Sequence, residues 1–346
     1  MATSSLPALE FPYDEPPIDG EVREVAPGIL WLRMPLPMVG LDHINLWLMD
    51  DGDSWTIVDT GVNCPETVEV WERVFKEELG GKPVKRLVCT HFHPDHMGVA
   101  GWLVNRWNGI PMWTGRGEWT LAQALNNVRG EAWRINSEKF YALTAADPVV
   151  AQGYINIGNP YAKQVTPIPP LFYRLQQGDT FTMGGREWEI ITGQGHSPEH
   201  ICLFSPKDKL LISGDIILPK ISPLLGVWPS EPDQDSLGEY LECLPNFDHL
   251  PKDTLVLPSH KLPFKGMHRR IEELQHHHDK RLATTLGACE YSATAWEVTD
   301  VLFSPDLPAF HKILALSETI AHLNHLWKKG EIARTVEDGV WRYAKV

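Results

Sequence analysis

The chain has 346 residues, more than the roughly 250–300 at which one hydrophobic core stops growing, so a catalytic-sized unit with an appendage is expected and a lone small module is excluded. Hydrophobic residues make up 43% and charged residues 22%, a globular composition, and no segment reaches the roughly 18 uninterrupted apolar residues of a membrane span. With 31 Lys and Arg against 45 Asp and Glu the net charge is −14, a field that repels phosphate backbones and acidic membranes and makes nucleic acid the poorer partner.

Residues 1–20 carry Glu10, Asp14, Glu15 and four prolines, with neither a basic start nor an apolar run, so they read as an arm ordered by contact and not as a secretory signal. Short apolar runs follow at Gly28 to Leu32, Ile44 to Met49 and Trp55 to Val58, the last two separated by the hairpin signal Asp50-Asp51-Gly52-Asp53. From Pro65 to Leu79 the spacing turns helical, with Val70, Val74 and Leu79 on one side, and ends at Gly80-Gly81. The run Leu87 to Thr90 reads as a strand that stops at a histidine cluster, and Val99 to Trp107 as the helix after it. Trp188 to Thr192, Ile201 to Phe204, Leu210 to Ser213 and Thr254 to Leu257 read as further strands. Beyond Gly266 the chain is mostly helical: Met267 to Leu286, a helix opened by the capping box Thr294-x-x-Glu297, and Pro308 to Lys329. Ile332 to Arg334 and Val340 to Tyr343 then close a small hairpin.

The chemistry concentrates in Thr90-His91-Phe92-His93-Pro94-Asp95-His96. Three histidines and a carboxylate on one loop after an apolar strand suit a borderline metal such as zinc, and their two sub-clusters suit two metals better than one. Three later strands end the same way, running into His196, Asp215 and His260 after Gly or Ser turns. The five cysteines, Cys64, Cys89, Cys202, Cys243 and Cys289, are odd in number and lack a C-x-x-C pair, which argues against a disulfide framework and fits a reducing cytoplasm. Neither a G-x-S-x-G elbow nor a phosphate-binding G-x-x-x-x-G-K-[ST] loop is present.

The set H-x-H-x-D-H, then His, Asp and His, with Val58-Asp59-Thr60-Gly61 upstream, resembles that of the metallo-β-lactamase-fold hydrolases, in particular the glyoxalase II and thioesterase-like branch. The resemblance spans roughly residues 21–264. It implies an α/β protein with a four-layer αββα fold, in which His91, His93 and His196 hold one divalent metal and Asp95, His96 and His260 the other. Asp215 would bridge the two, and Asp59 would orient the ligand loops by hydrogen bonds, so Asp59, Asp95 and Asp215 are the candidate catalytic residues. Two zinc ions are expected, with iron or manganese as alternatives. The implied organisation is an arm (1–20), a catalytic domain (21–265) with an aromatic-rich insertion over about 108–180, and a C-terminal helical, winged-helix-like domain (266–346). That last segment carries ten cationic and eleven anionic residues and so offers no basic stripe for DNA.

Other residues admit plainer readings. His200 reads as a surface histidine at a strand start, and His43 as lying away from the site. His276-His277-His278 lies in a charged helix where consecutive side chains diverge by about 100°, so a solvated face is expected. Cys89 reads as core. The aromatic residues between His96 and His196, among them Trp102, Trp107, Trp113, Trp119 and Trp133, suit equally a wall for a bulky substrate or dimer contact and local core packing.

The expected reaction is attack of metal-held hydroxide on an acyl thioester of the acyl-CoA or acyl-glutathione type. A lactonase is the nearest rival; a nuclease is resisted by the acidic charge, a persulfide oxygenase by the second ligand set, and an inert binding protein by the completeness of both. The expected partner is a small acyl substrate, with no membrane, nucleic acid disfavoured and a homodimer open.

Overall fold

The computed structural model describes residues 6–38, 40–128 and 130–346. Among these, one sheet has seven strands in chain order. Strands β1 (Val22–Ala26), β2 (Ile29–Met38), β3 (Leu41–Asp50) and β4 (Trp55–Val58) pair antiparallel. From β4 the sheet continues in parallel through β5 (Val84–Val88), β6 (Met112–Thr114) and β7 (Tyr173–Arg174). Helix α1 (Pro65–Glu77) connects β4 to β5; α2 (Pro94–Met97) and α3 (Ala100–Arg106) lie before β6; α4 (Arg116–Asn127), α5 (Gly130–Leu143), α6 (Pro148–Ile157) and α7 (Pro160–Gln164) lie before β7.

The second sheet holds β8 (Thr180–Met183), β9 (Arg186–Gly193), β10 (His200–Ser205), β11 (Leu210–Gly214) and β12 (Leu255–Pro258), in the order β12-β11-β10-β9-β8. Its β11–β12 pair is parallel and the rest antiparallel. After α8 (Ser236–Cys243) and β12, the chain closes with α9 (Met267–Ala288), α10 (Ala295–Leu302), α11 (Ala309–Lys328) and the hairpin β13 (Ile332–Glu337), β14 (Val340–Lys345).

Three apolar cores separate four layers. Between the sheets Trp31, Trp47, Val58, Val88, Trp188, Ile190, Ile201, Leu203, Ile212 and Leu257 are all buried. Each large side chain removed from water in this way contributes about 1.5–3 kcal/mol. The outer face of the first sheet packs on α1 and α3, where Trp71, Val74 and Phe75 form the buried stripe of α1 at helical spacing. The outer face of the second sheet packs on α8, α9 and α11, giving the αββα order expected from the sequence. Strands β10 and β11 are buried along their whole length, which is why their sequences read as apolar runs without alternation.

The predicted strands and C-terminal helices appear within a few residues of their expected bounds, and the capping box is formed: Glu297 N–H donates to Thr294 Oγ1 at 3.2 Å, and Thr294 N–H to Glu297 Oε2 at 2.7 Å. The arm is seated by Glu10, which exchanges two backbone hydrogen bonds with Lys265, and by Phe11 against Phe264; its first five residues lie outside the described ones. Strand β1 has no counterpart among the sequence expectations, because its residues are half-buried or exposed and carry little apolar signal.

The aromatic insertion folds into α4–α7, and its rings pack on one another and on neighbouring elements. Trp119 stacks on Phe172, Trp113 lies between Tyr173 and Phe181, and Tyr141 and Tyr154 join the core that includes Trp341 of the C-terminal hairpin. One expectation is corrected here. His278 is not on a solvated face; it is fully buried between Tyr240 and His322. It falls on the stripe Ile271, Leu274, His278, Thr285 that α9 turns inward, so helical phase decides its burial despite the charged neighbours.

Asn45 fastens the two sheets at the end that carries the site. Its backbone N–H donates to Ser259 O at 2.7 Å, its Nδ2 to Pro258 O at 2.8 Å and Lys261 O at 2.7 Å, and its Oδ1 accepts from Trp31 Nε1 at 2.8 Å. Replacing it with alanine strands a buried indole N–H and two carbonyls, each costing about 1–3 kcal/mol. Asn45→Ala is therefore expected to lower unfolding free energy by on the order of 3 kcal/mol, read from the urea midpoint at constant slope; a wild-type midpoint would refute this role.

Candidate metal centre

Five strand ends converge at one edge of the sandwich. Asp59 follows β4, Thr90 and His91 follow β5, His196 follows β9, Asp215 follows β11 and His260 follows β12, while α2 carries Asp95 and His96. The crevice outside the carboxyl ends of parallel strands is the usual ligand position in open α/β sheets. Two glycines let these turns close. A Cβ on Gly195, whose φ is +86°, would meet Ser236 O at 2.2 Å, and one on Gly214 would meet the His200 ring at 2.2 Å.

All seven residues singled out as metal ligands come together, and each is buried except His93, which is half-buried. His91 Nε2 lies 3.0 Å from His93 Nδ1 and 3.2 Å from His196 Nε2. Asp95, His96 and His260 form a second group, with His260 Nε2 3.4 Å and His96 Nε2 3.5 Å from Asp95 Oδ2. Asp215 stands between the groups: its Oδ2 is 3.5 Å from Nε2 of both His196 and His260, and its Oδ1 is 3.6 Å from His96 Nε2.

Hydrogen bonds on the outer side of each ring decide what the inner side presents. His196 Nδ1 donates to Leu224 O at 2.8 Å, His260 Nδ1 to His43 O at 2.8 Å, and His96 Nδ1 to Asp59 Oδ2 at 2.9 Å. The Thr90 hydroxyl donates to Asp59 Oδ2 at 2.8 Å and so accepts from His91 Nδ1, 3.1 Å away. The Nε2 lone pairs of His91 and His196 therefore face each other with no proton between them. Two acceptors in that arrangement repel unless a cation joins them, and nitrogens bound tetrahedrally to zinc at roughly 2.0–2.1 Å lie about 3.3 Å apart. His96 Nε2, His260 Nε2 and Asp215 Oδ1 are buried with no hydrogen-bond partner among the described residues, which is costly without a bound cation. The residues thus fit a pair of divalent ions.

Charge follows the same pattern. Burial holds His93 down to about 3 and keeps His91 and His196 below the usual imidazole range, so their rings stay neutral. Burial opposes charge on His260 as well, but Asp215 and Asp95 outweigh it and push that ring up to about 10. Asp95 is drawn down to about 2 against its burial by His96 and His260.

Asp59 lies beneath the cluster, hydrogen-bonded to His96 and Thr90. Its Oδ1 accepts from Thr90 N–H at 2.7 Å, and its backbone is left-handed, φ 62°, a strained state for a residue with a side chain. Two plainer expectations are corrected. His200 is not on the surface: it is fully buried, stacks on His91 and accepts from Asp215 N–H at 3.1 Å, which occupies its Nε2 and leaves it outside the ligand set. His43 does not lie away from the site; its carbonyl orients His260 and its ring packs edge-on to it. Cys89 is core, as expected.

Sequence reasoning missed Glu118. It is fully buried near the start of α4 and accepts from Phe92 N–H, Ser197 Oγ and Glu199 N–H. A carboxylate in the first turn of an amphipathic helix carries no signal of that role, because its partners lie far away in the chain.

The model of the metallo-beta-lactamase superfamily matches residues 39–114 and 121–260, and that of the metallo-beta-lactamase-like C-terminal domain matches residues 282–346. A beta-lactamase domain protein from Burkholderia ambifaria, known from a crystal structure, is 39% identical with a TM-score of 0.90, covering 98% of each chain. The probable metallo-hydrolase YqjP of Bacillus subtilis is 26% identical over 86% of this chain and 92% of its own length. The acyl-coenzyme A thioesterase MBLAC2 of Homo sapiens is 25% identical over 56% of this chain and 65% of its own length. Fold, clustered histidine and carboxylate groups and family match agree: the chain belongs to the metallo-β-lactamase superfamily and is a metallo-hydrolase of that fold.

Proposed function

We propose that the protein hydrolyses acyl thioesters of the acyl-CoA or acyl-glutathione type, with His91, His93 and His196 holding one divalent ion, Asp95, His96 and His260 a second, and Asp215 between them. The observation that carries the two-metal reading is the buried apposition of the His91 and His196 Nε2 atoms beside His96 Nε2, His260 Nε2 and Asp215 Oδ1, which are buried without hydrogen-bond partners among the described residues. Support for a thioester substrate comes from the likeness to the human acyl-CoA thioesterase. Nitrogen and carboxylate donors favour zinc, with iron and manganese as the alternatives to distinguish by elemental analysis. Five free cysteines, four of them buried, support a reducing compartment such as the cytoplasm, and no described helix is long and apolar enough to cross a membrane. The succession of α9, α10, α11 and the β13–β14 hairpin supports the winged-helix-like reading of the tail.

Divalent ions, when bound, supply a water acidified to near neutral pH and polarisation of an acyl oxygen. The protein's own groups hold that arrangement still and exclude competitors. Asp59 and the carbonyls of Leu224 and His43 keep the ligand rings in one tautomer and one orientation. The nearby hydroxyls are committed, Thr90 to Asp59 and Ser197 to Glu118. Burial raises the Cys89 and Cys202 thiols, which removes them as nucleophiles.

Thiol release from short, long and aromatic acyl-CoA and acyl-glutathione thioesters is expected with metal-loaded protein and should vanish after chelation. Turnover at background across that panel, with activity on lactones or phosphodiesters instead, would overturn the thioesterase reading. Asp215→Asn is expected to lower turnover by at least about 100-fold and to reduce metal stoichiometry; wild-type values of both would refute its bridging place. Because Asp215 and Asp95 keep His260 protonated at pH 7 in the metal-free protein, zinc uptake should release protons. Calorimetry in buffers of different ionisation enthalpy measures this, and a binding heat independent of buffer would contradict it.

A further inference from the structure

We propose that Glu118 is a positioning residue for one of the two metal triads, tying the loop of His91 and His93 to the loop of His196 while leaving the other triad to different anchors. The inference rests on the two-metal reading above. Phe92 lies between His91 and His93, and its N–H donates to Glu118 Oε2 at 2.8 Å. Ser197 follows His196 directly, and its hydroxyl donates to Glu118 Oε1 at 2.9 Å, as does Glu199 N–H at 2.6 Å. One carboxylate therefore holds the backbone beside all three members of the His91, His93, His196 group. The Phe92 carbonyl is held as well, accepting from Tyr161 Oη at 2.9 Å.

The helix that carries Glu118 is pressed onto the second loop by its glycines. A Cβ on Gly115 would stand 2.5 Å from Glu199 O, and one on Gly117 would stand 2.9 Å from Pro198 Cβ. Glu118 forms no ion pair with Lys, Arg or His among the described residues, so its burial is costly and is compensated by the three converging donors alone. The other triad is anchored elsewhere, His96 by Asp59 and His260 by the His43 carbonyl. Removing Glu118 should thus loosen one metal position and spare the other.

Glutamine has the shape of glutamate but a single acceptor oxygen. With that oxygen facing Ser197 and Glu199, its NH2 meets the Phe92 N–H donor to donor, and the opposite flip sets NH2 against Glu199 N–H. Cobalt(II) titration of the full-length, metal-stripped protein, followed by its visible spectrum and by chelator competition, reads the two positions separately. In Glu118→Gln one equivalent is expected to weaken by about 10–100-fold with an altered spectrum, and the other to keep wild-type affinity. Ser197→Ala, which removes one donor and leaves the carboxylate, should shift the same equivalent in the same direction by less than about 10-fold. Two wild-type equivalents with an unchanged spectrum in Glu118→Gln would overturn the inference alone. Equal weakening of both positions with a lowered unfolding midpoint would also overturn it, by showing a general structural role. A wild-type protein that takes up no metal would overturn the two-metal reading and this inference with it.

Discussion

The hydrogen bonds made by the outward-facing ring nitrogens of His96, His196 and His260 govern the chemistry of the cluster. Each Nδ1–H is bound to a carboxylate or a backbone carbonyl, so each Nε2 is the ring atom aimed at the centre. In water such an arrangement would relax by protonation or rotation. Here burial opposes protonation of His91, His93 and His196, and packing opposes rotation. The result is a set of donors that is electrostatically unfavourable without a cation and well suited to one.

That constraint passes outward into the fold. Asp59 reaches both Thr90 and His96 from a left-handed backbone at the end of β4, and Leu224 and His43 offer carbonyls from segments far apart in the chain. Asn45 links strand β3 of one sheet to the turn that carries His260 after β12 of the other. The sandwich core therefore does more than supply stability: its register sets the separation of the two triads. Strain at Asp59 and the burial of Glu118 without an ion-pair partner among the described residues are local costs concentrated around the site, where positional accuracy matters most.

The C-terminal helices and the aromatic insertion share a core with the second sheet. Tyr141 and Tyr154 from the insertion meet Ile313, Leu316 and Trp341 from the tail in one apolar cluster that also includes Ile191, Leu211 and Val256. These elements consequently stiffen the sheet from which His196, Asp215 and His260 project. Acidic and basic residues are nearly balanced in the tail.

Much of the site was legible in the residues alone, because His91, His93, Asp95 and His96 are close in the chain and His196, Asp215 and His260 each follow a short apolar run and a small-residue turn. Strand and helix periodicity located most of the core elements for the same reason: the burial of one face repeats locally. What the sequence could not determine is everything that depends on distance through space. His200 looks like a surface residue until β10 is found buried on both faces; His278 looks solvated until α9 is docked; His43 and Leu224 contribute backbone carbonyls, which have no side-chain signature. Glu118 joins two loops on opposite sheets from a third segment, and only tertiary packing brings its three donors within hydrogen-bond range of one carboxylate. Ligand identity is written in residue type and spacing, whereas ligand orientation is decided by partners that meet only when the chain has folded.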